Sequence, residues 1–555
     1  MVLAASVAYR HIADDPVRAI ILASRVLPRG LVRWAGPYGR AAALWGAGER
    51  RAALASLEAH PARLAAFSLA VDQPQVARSA LARLPDGHRA RPRLEARLAR
   101  REGQLTDAVN VLDGARAGRL RRIISAERAV LDPSFYCLPA AGSASAAIPG
   151  RVLHVVTDAL PTTNAGYTVR TQEVVLAQRG AGLDPHVVTR IGFPVTSGKL
   201  DARPLVTVDG VPYHRLLPWL MPRYADEMVR EHLDLADRLA GELRPAVVHA
   251  ASNYVNGLIG LALSERHGVP FVYEVRGFWE DTWLSRHPGL EQALRGSEVY
   301  RLSRELETRC MTSADLVVTL GEAMRGEILS RGVAADRVLL APNGVSATFL
   351  EPLPSGAALR ESLGIGPSDF VVGLVSSLVA HEGIGTLLRA ARILGDRPRA
   401  GKSVKVLIVG DGPERTALER QAAELGIDAI FTGRVPPGKV RDYHAVLDVF
   451  VVPRTPDRVC QLVTPLKPVE AMASGLPVVL SDVTALAEIV TDGVTGLLSP
   501  PLDAEALAGR LQRLLDDPAL RQTLGRAARE WVAQDRTWAQ NATRYRDAYA
   551  RLGAL

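Results

Sequence analysis

Lys467 and Glu470 stand three residues apart in Val451-Val-Pro-Arg-Thr-Pro-Asp-Arg-Val-Cys-Gln-Leu-Val-Thr-Pro-Leu-Lys-Pro-Val-Glu-Ala-Met-Ala-Ser-Gly-Leu-Pro-Val-Val. The spacing predicts a buried strand ending at Pro453, a polar loop, and a helix that starts near Pro465 or Pro468 and stops at Gly475. Free backbone N–H groups at such a helix start can hold a diphosphate, and Lys467 adds a mobile positive charge. Arg454 and Arg458 approach the same place. A first-turn Glu470 can accept two sugar hydroxyls, the usual grip on a ribose. It can equally well compensate the helix dipole as a capping carboxylate.

These residues need a scaffold. The chain has 555 residues, enough for about three domains. Its 48% hydrophobic, 23% charged and 5% aromatic content is that of a folding chain rather than a disordered one. Cys137, Cys310 and Cys460 are too few and scattered for a disulfide framework or a four-ligand zinc site, which points to a reduced compartment, the cytoplasm. No uncharged apolar run of eighteen residues occurs, and the start of the chain lacks a signal-peptide pattern, so secretion and membrane spanning are not expected. Residues 1–150 hold 22 Arg, no Lys and 12 acidic residues, a balance of +10 within a net charge of +8. Such a segment can be drawn to an anionic surface. Because Lys occurs only five times in the chain, the Arg excess also fits a compositional bias serving solubility.

Ala, Leu and Arg recur at helical spacing in Ala41–Leu57, Pro61–Leu69, Val76–Leu84, Arg93–Glu102 and Leu105–Ala115, which predicts an all-α extension over 1–140. Residues 141–150 read as a linker. From Arg151, short β-branched runs alternate with helices: Val152–Thr157, His186–Thr189, Ala246–His249, Phe271–Val275 and Asp315–Leu320. A second series follows: Phe370–Ser376, Val404–Gly410, Ala429–Thr432, Val449–Pro453 and Pro477–Ser481. The pattern is α/β, with two doubly wound Rossmann-like domains at 151–343 and 344–525 and closing helices at 526–555 that can pack back on the first domain. Ligands of such sheets bind at the carboxyl ends of strands, so the site is expected in the cleft between the domains.

Five segments together resemble the retaining glycosyltransferases of family 4, on the two-domain GT-B fold. They are Glu470-Ala-Met-Ala-Ser-Gly-Leu-Pro-Val-Val, Ile489-Val-Thr-Asp-Gly-Val-Thr-Gly-Leu-Leu, Leu407-Ile-Val-Gly-Asp-Gly-Pro-Glu, Phe431-Thr-Gly-Arg-Val and Ala341-Pro-Asn-Gly-Val. Thr464-Pro-Leu-Lys-Pro and the Tyr273–Asp281 run are most similar to a bacterial branch associated with exopolysaccharide and exosortase loci. The resemblance covers about Arg151 to the C-terminus. It implies that Glu470 holds the donor ribose, that Lys467 and Arg454 face the diphosphate, and that the Thr464–Lys467 backbone helps cradle it. Gly433, Arg434 and Val435 would border the nucleobase, and Gly166 would let the backbone approach the transferred sugar. A strand-to-helix turn needing positive φ explains Gly166 equally well.

Three departures bear on the reading. Ser377 and Glu382 stand where many members carry phosphate-binding Arg and Lys, and Leu462 stands eight residues before Glu470 in place of a carboxylate. His249 matches the first residue of a His-x-His run whose second position is Ala251. Glu274 and Arg276 can orient the acceptor or form an internal ion pair. The implied function is transfer of a sugar from a nucleoside-diphosphate sugar to a glycan, polyprenyl-linked or related acceptor, with no metal or other cofactor required and no nucleic-acid partner. Residues 1–140 would contact an anionic membrane or another protein, which would place the chain at the inner face of the plasma membrane. A nucleotide-sugar epimerase and a non-catalytic partner protein with a vestigial cleft are the competing functions.

Overall fold

Strands buried on both faces need apolar runs, and the central strands here consist largely of them, interrupted by the buried His154, His249 and Glu274. In the computed structural model, residues 2–24, 36–115, 117–138, 146–287, 289–397 and 403–555 are described. The first sheet contains β1 (Ile148–Val156), β2 (Asp184–Thr189), β3 (Leu205–Val208), β4 (Val211–Arg215), β5 (Pro245–Ala251), β6 (Phe271–Val275), β7 (Leu316–Thr319) and β8 (Val338–Leu340). Their order is β3-β4-β2-β1-β5-β6-β7-β8, and each pair is parallel except the β3–β4 hairpin. The second sheet contains β9 (Phe370–Val375), β10 (Val404–Val409), β11 (Ala429–Gly433), β12 (Val449–Val452), β13 (Val478–Ser481) and β14 (Leu497–Ser499), all parallel, in the order β11-β10-β9-β12-β13-β14. Chain order reverses beside β1 and beside β9, the switch points where open α/β sheets leave a crevice.

The β3–β4 hairpin, β8 and β14 are absent from the sequence expectation. They are short strands of three to five residues at or next to the sheet edges, and their burial alternates or is incomplete, so no continuous apolar run announces them. The 451–467 loop also carries a short helix, Arg458–Leu462, that was not expected.

The N-terminal region is helical and falls into two parts. Residues around Val17, Leu57, Phe67 and Leu81 form a small core of their own. Leu105, Leu112, Ile124 and Tyr136 instead join the core of the first Rossmann-like domain, beside Leu233, Leu258 and Leu306. Gly103 marks the docking point: its φ is +75°, and a Cβ there would meet Ser297 and Trp283 at 2.9–3.0 Å. Residues 141–145 of the expected linker, and Arg25, Arg29 and Arg33, lie outside the described residues, and the linker's last three residues already belong to β1.

The chain passes between the Rossmann-like domains twice, side by side. Val345 N donates to Arg536 O (2.9 Å) and Trp538 N to Val345 O (3.3 Å). A Cβ on Gly344 would lie 2.9 Å from the Thr537 backbone, so the two crossings approach as closely as glycine permits. The helix Pro518–Asp535 buries Leu524, Ala528 and Val532 in the second domain. The helix Trp538–Arg551 buries Trp538, Tyr545 and Tyr549 against Val152, Val174 and Val318 of the first.

Candidate active site

Two adjoining cavities lie between the domains at the carboxyl ends of the strands. The first, of about 270 Å³, is bounded by Gly166, Glu173, Phe349, Arg434, Val435 and Glu470. The second, of about 390 Å³, is bounded by Tyr167, Arg276, His381, Glu382, Arg454 and Thr464. Lys467, Leu466, Gly166 and Val375–Ser377 belong to both walls. A bound molecule larger than either cavity would therefore cross beside Lys467.

The Lys467–Ala473 helix places the first pair of groups. Its start has no side-chain cap, and Pro468 sits in the first turn, where the missing N–H costs nothing. Lys467 and Glu470 are one turn apart, with Nζ 3.2 Å from Oε2. The Glu470 side chain is buried, whereas about a third of Lys467 is exposed to the cleft. A half-exposed ammonium tethered to a buried carboxylate can swing toward an incoming anion while Glu470 stays in place. Glu173, on the first-domain helix Gly166–Gly180, lines the same cavity, and its pKa is raised by burial and then by the nearby charge of Glu470. Two carboxylates thus press on one compartment from opposite domains.

Gly166 opens that helix with a φ outside the left-handed region, and a Cβ there would meet nothing within 4 Å. Neither a positive φ nor protein packing demands glycine, so the turn explanation does not hold. The room beside it is open cleft. Gly433 differs: its φ is +75°, and its carbonyl accepts from Gly410 N (2.9 Å) and Thr432 Oγ1 (3.0 Å). Its role is to join the ends of β10 and β11. Arg434 and Val435, the next two residues, reach the cavity instead.

Arg454 is already paired. Its Nη2 lies 2.7 Å from Glu382 Oε1 and its Nη1 donates to Val463 O (3.0 Å). Burial acts to raise the Glu382 pKa, but the Arg454 guanidinium outweighs it and holds the carboxyl below its usual range. Arg454 therefore borders the second cavity as half of a neutral pair, not as the free phosphate cation expected from sequence. Arg458 leaves the cavities altogether. It bridges to first-domain Asp281 (2.9 Å) and Glu327 (2.7 Å) and helps lock the domains together. Leu462 packs against the first-domain core, and Gln461 accepts from Thr484, so neither supplies the carboxylate missing eight residues before Glu470. The Thr464 carbonyl accepts from Asn343 Nδ2 (2.9 Å), which leaves the backbone beyond it to face the cleft.

On the first-domain side, Glu274 at the end of β6 is wholly buried and gathers three donors: Arg170 Nε (2.6 Å), His249 Nε2 (3.0 Å) and Arg276 Nη2 (3.1 Å). Burial favours its neutral form, yet Arg276 and Arg170 hold its pKa well below the usual carboxylate range. Arg276 also donates to Tyr167 O and Thr171 Oγ1, and it reaches the second cavity with a buried Nε that no protein group engages. His249 is fully buried outside both cavities, between Glu274 and the Tyr549 hydroxyl (2.6 Å from Nδ1), and burial lowers its pKa. This placement removes it from contact with substrate. It is a neutral linker, donating to Glu274 and accepting from Tyr549.

Sequence reading missed Arg170 and Asn343, although Asn343 falls inside a quoted segment. Arg170 donates to Asn343 Oδ1 (3.1 Å) and Ala341 O (2.7 Å), and Asn343 in turn holds Thr464. The chain Glu274–Arg170–Asn343–Thr464 connects the acceptor-side strand end to the loop before Lys467. Polar residues at a domain crossing gave the sequence signal, and only folding gave them partners.

Residues 165–344 match the model described as glycosyl transferase 4-like domain, and residues 357–531 match glycosyl transferases group 1. D-inositol 3-phosphate glycosyltransferase of Nocardia farcinica is 29% identical over 401 residues, covering 69% of this chain and 83% of the relative. Alpha-maltose-1-phosphate synthase of Mycolicibacterium smegmatis is 29% identical over 329 residues, covering 56% and 79%. Among solved structures, sucrose-phosphate synthase from Thermosynechococcus elongatus has a TM-score of 0.59 at 22% identity, over 73% of this chain and 99% of that chain. Anabaena Alr3699/HepE in complex with UDP has a TM-score of 0.54 at 20% identity, over 72% and 100%. The chain therefore has the GT-B fold, with a glycosyl transferase 4-like domain over residues 165–344 followed by a glycosyl transferases group 1 domain over 357–531, behind a helical extension.

Proposed function

We propose that the cleft transfers a sugar, with retention of anomeric configuration, from a nucleoside-diphosphate sugar to the hydroxyl of a glycan, polyprenyl-linked or related acceptor in bacterial cell-surface polysaccharide synthesis. The observation that carries the reading is the position of Lys467 and Glu470 on one helical turn where the two cavities meet. The nucleoside lies in the first cavity, with its ribose on Glu470 and its base between Arg434, Val435 and Phe349. The diphosphate crosses beside Lys467 and Gly166. The sugar and acceptor meet in the second cavity, under Arg276.

In the reaction the bond from the anomeric carbon to the diphosphate oxygen breaks, and the acceptor oxygen bonds to that carbon from the same face. The acceptor proton passes to the departing phosphate. Charge grows on that phosphate, so a preorganised cation beside it contributes most when the bond is breaking. Lys467 supplies that charge, since Arg454 is neutralised by Glu382. No metal ion enters this scheme. Work at the inner leaflet of the plasma membrane completes the reading and accounts for the basic helical extension.

Calorimetric titration with UDP-, GDP- and ADP-sugars, followed by NMR assignment of the product anomer, tests it. Saturable binding of one donor and product of the donor's own configuration support the proposal. Indifference to every donor would leave the vestigial-cleft account, and an inverted product would overturn retention.

A further inference from the structure

The helix Val2–Asp14 is built inside out. Among its described side chains the exposed ones are Val2, Ala5, Ala8, Tyr9 and Ile12, which share one face at helical spacing and are all apolar. Ser6, Arg10 and Asp14, four residues apart, turn toward the protein. Ser6 Oγ accepts from Met221 N (3.1 Å), Arg10 donates to Pro222 O (3.4 Å), and Asp14 pairs with Arg119 (2.6 Å). Polar residues thus fix the helix to the body, and its apolar face is left uncovered. Tyr9 is 62% exposed and Ile12 is 58% exposed.

The loop that receives the helix adds Trp219 at 78% and Leu220 at 57% exposure. Arg223 of this loop stands 5.9 Å from the Tyr9 ring, so helix and loop form one patch. This loop follows β4, and the neighbouring loop after β2 carries exposed Lys199 and Leu200. Both leave the carboxyl edge of the first sheet, the edge that faces the cleft. Arg190, just past β2, pairs with Asp158, which also accepts from the Tyr167 hydroxyl at the second cavity. The patch and the acceptor compartment share one rim of the molecule.

We propose that this composite surface, the Val2–Ile12 face with Trp219 and Leu220, inserts into an anionic bilayer. The inference deepens the lipid side of the function proposed above and rests on it for the acceptor, though not for the surface itself. Charge complementarity selects the occupant. The +10 balance of residues 1–150 contains the whole positive excess of the chain. Asp14 and Asp15, the acids beside the helix, are turned inward onto Arg119 and Arg97. A helix lying in the interface plane places its apolar side in the acyl boundary and its cations at headgroup level, where Trp and Tyr rings also settle. A lipid-linked substrate would then meet the second cavity without leaving the bilayer.

The full chain is sedimented with vesicles of phosphatidylcholine plus phosphatidylglycerol, and with phosphatidylcholine alone, at low and high salt. Binding to the anionic vesicles that weakens with salt is expected. The pairs Tyr9→Ser with Ile12→Ser and Trp219→Ser with Leu220→Ser should each lower partitioning by about tenfold or more, given the burial worth of such side chains. Melting temperature and donor affinity should stay unchanged, because these side chains are exposed and remote from the donor cavity. Failure to bind, or equal binding by the wild type and both pairs, overturns the proposal. Self-association abolished by the same substitutions also overturns it, since a second copy would then be the occupant. Donor binding that persists while vesicle binding fails sinks the surface alone; loss of donor binding in the wild type sinks the function instead.

Discussion

Arg454 Nη2 meets Glu382 Oε1 at 2.7 Å, and both side chains are about nine-tenths buried. The cation that sequence motifs assign to a diphosphate is held by a carboxylate standing where a second cation is common. In the proposed reaction the charge left for the leaving group falls to Lys467, which reaches the junction of the cavities with its side chain partly exposed.

Lys467→Ala should reduce kcat/KM by about 10² or more, the cost of removing one preorganised charge from a transition state. Its melting temperature should stay near wild type, because an ammonium on the cleft wall supports little packing. Steady-state kinetics beside thermal melts would decide; an unaltered rate removes Lys467 from the mechanism.

Glu470→Gln should weaken donor binding by about tenfold to a hundredfold, the range for a lost hydrogen bond to a charged group. If the carboxylate served only the helix start, stability would change by about 1 kcal/mol or less and affinity would hold. Calorimetry and urea unfolding of the same preparation separate these outcomes.

Glu382→Gln should destabilise the fold by about 3 kcal/mol, because it leaves Arg454 charged and buried beside a neutral amide. Replacing both partners, as Glu382→Gln with Arg454→Met, should recover much of that loss. A double variant no more stable than the single would mean that the pair is not the source of the effect.

Gly166→Ala should fold as well as wild type or better, since φ is ordinary there and a Cβ meets open space. Turnover should nevertheless fall, because the added methyl projects beside the proposed diphosphate path. Gly344→Ala should show the opposite pattern, lowered stability from collision with the Thr537 backbone at 2.9 Å. Chemical denaturation with donor kinetics on both variants tests the contrast.

Glu274 gives stability an acid limb. Its folded pKa lies below its unfolded value through Arg276 and Arg170, so its contribution is complete above the unfolded carboxylate pKa of about 4.3 and is lost as pH falls toward the folded value. Urea unfolding followed from pH 7 downward should show the wild type losing stability below about pH 4. Glu274→Gln should start lower at neutral pH and lose less on acidification. Parallel curves for the two proteins would count against the assignment.

The sequence by itself determined both Rossmann-like domains, because strands buried on two faces must be written as largely apolar runs. It also determined that Lys467 and Glu470 stand side by side, because one helical turn fixes residues three apart. The short outer strands β3, β4, β8 and β14 carried no such run and became visible only in the sheet. Tertiary structure alone decided which partner each charge takes. Arg454, Arg458 and Arg276 read alike as cations near a cleft, but Arg454 pairs with Glu382, Arg458 spans the domains to Asp281, and Arg276 shares Glu274 with Arg170 and His249 while reaching the second cavity. His249 likewise lies at a strand end, where sequence places it near substrate, and helix Trp538–Arg551 arrives from the far end of the chain to cover it with Tyr549. Spacing along a helix or strand is local geometry; the partner of a buried charge is set by segments hundreds of residues away, and no local pattern encodes that meeting.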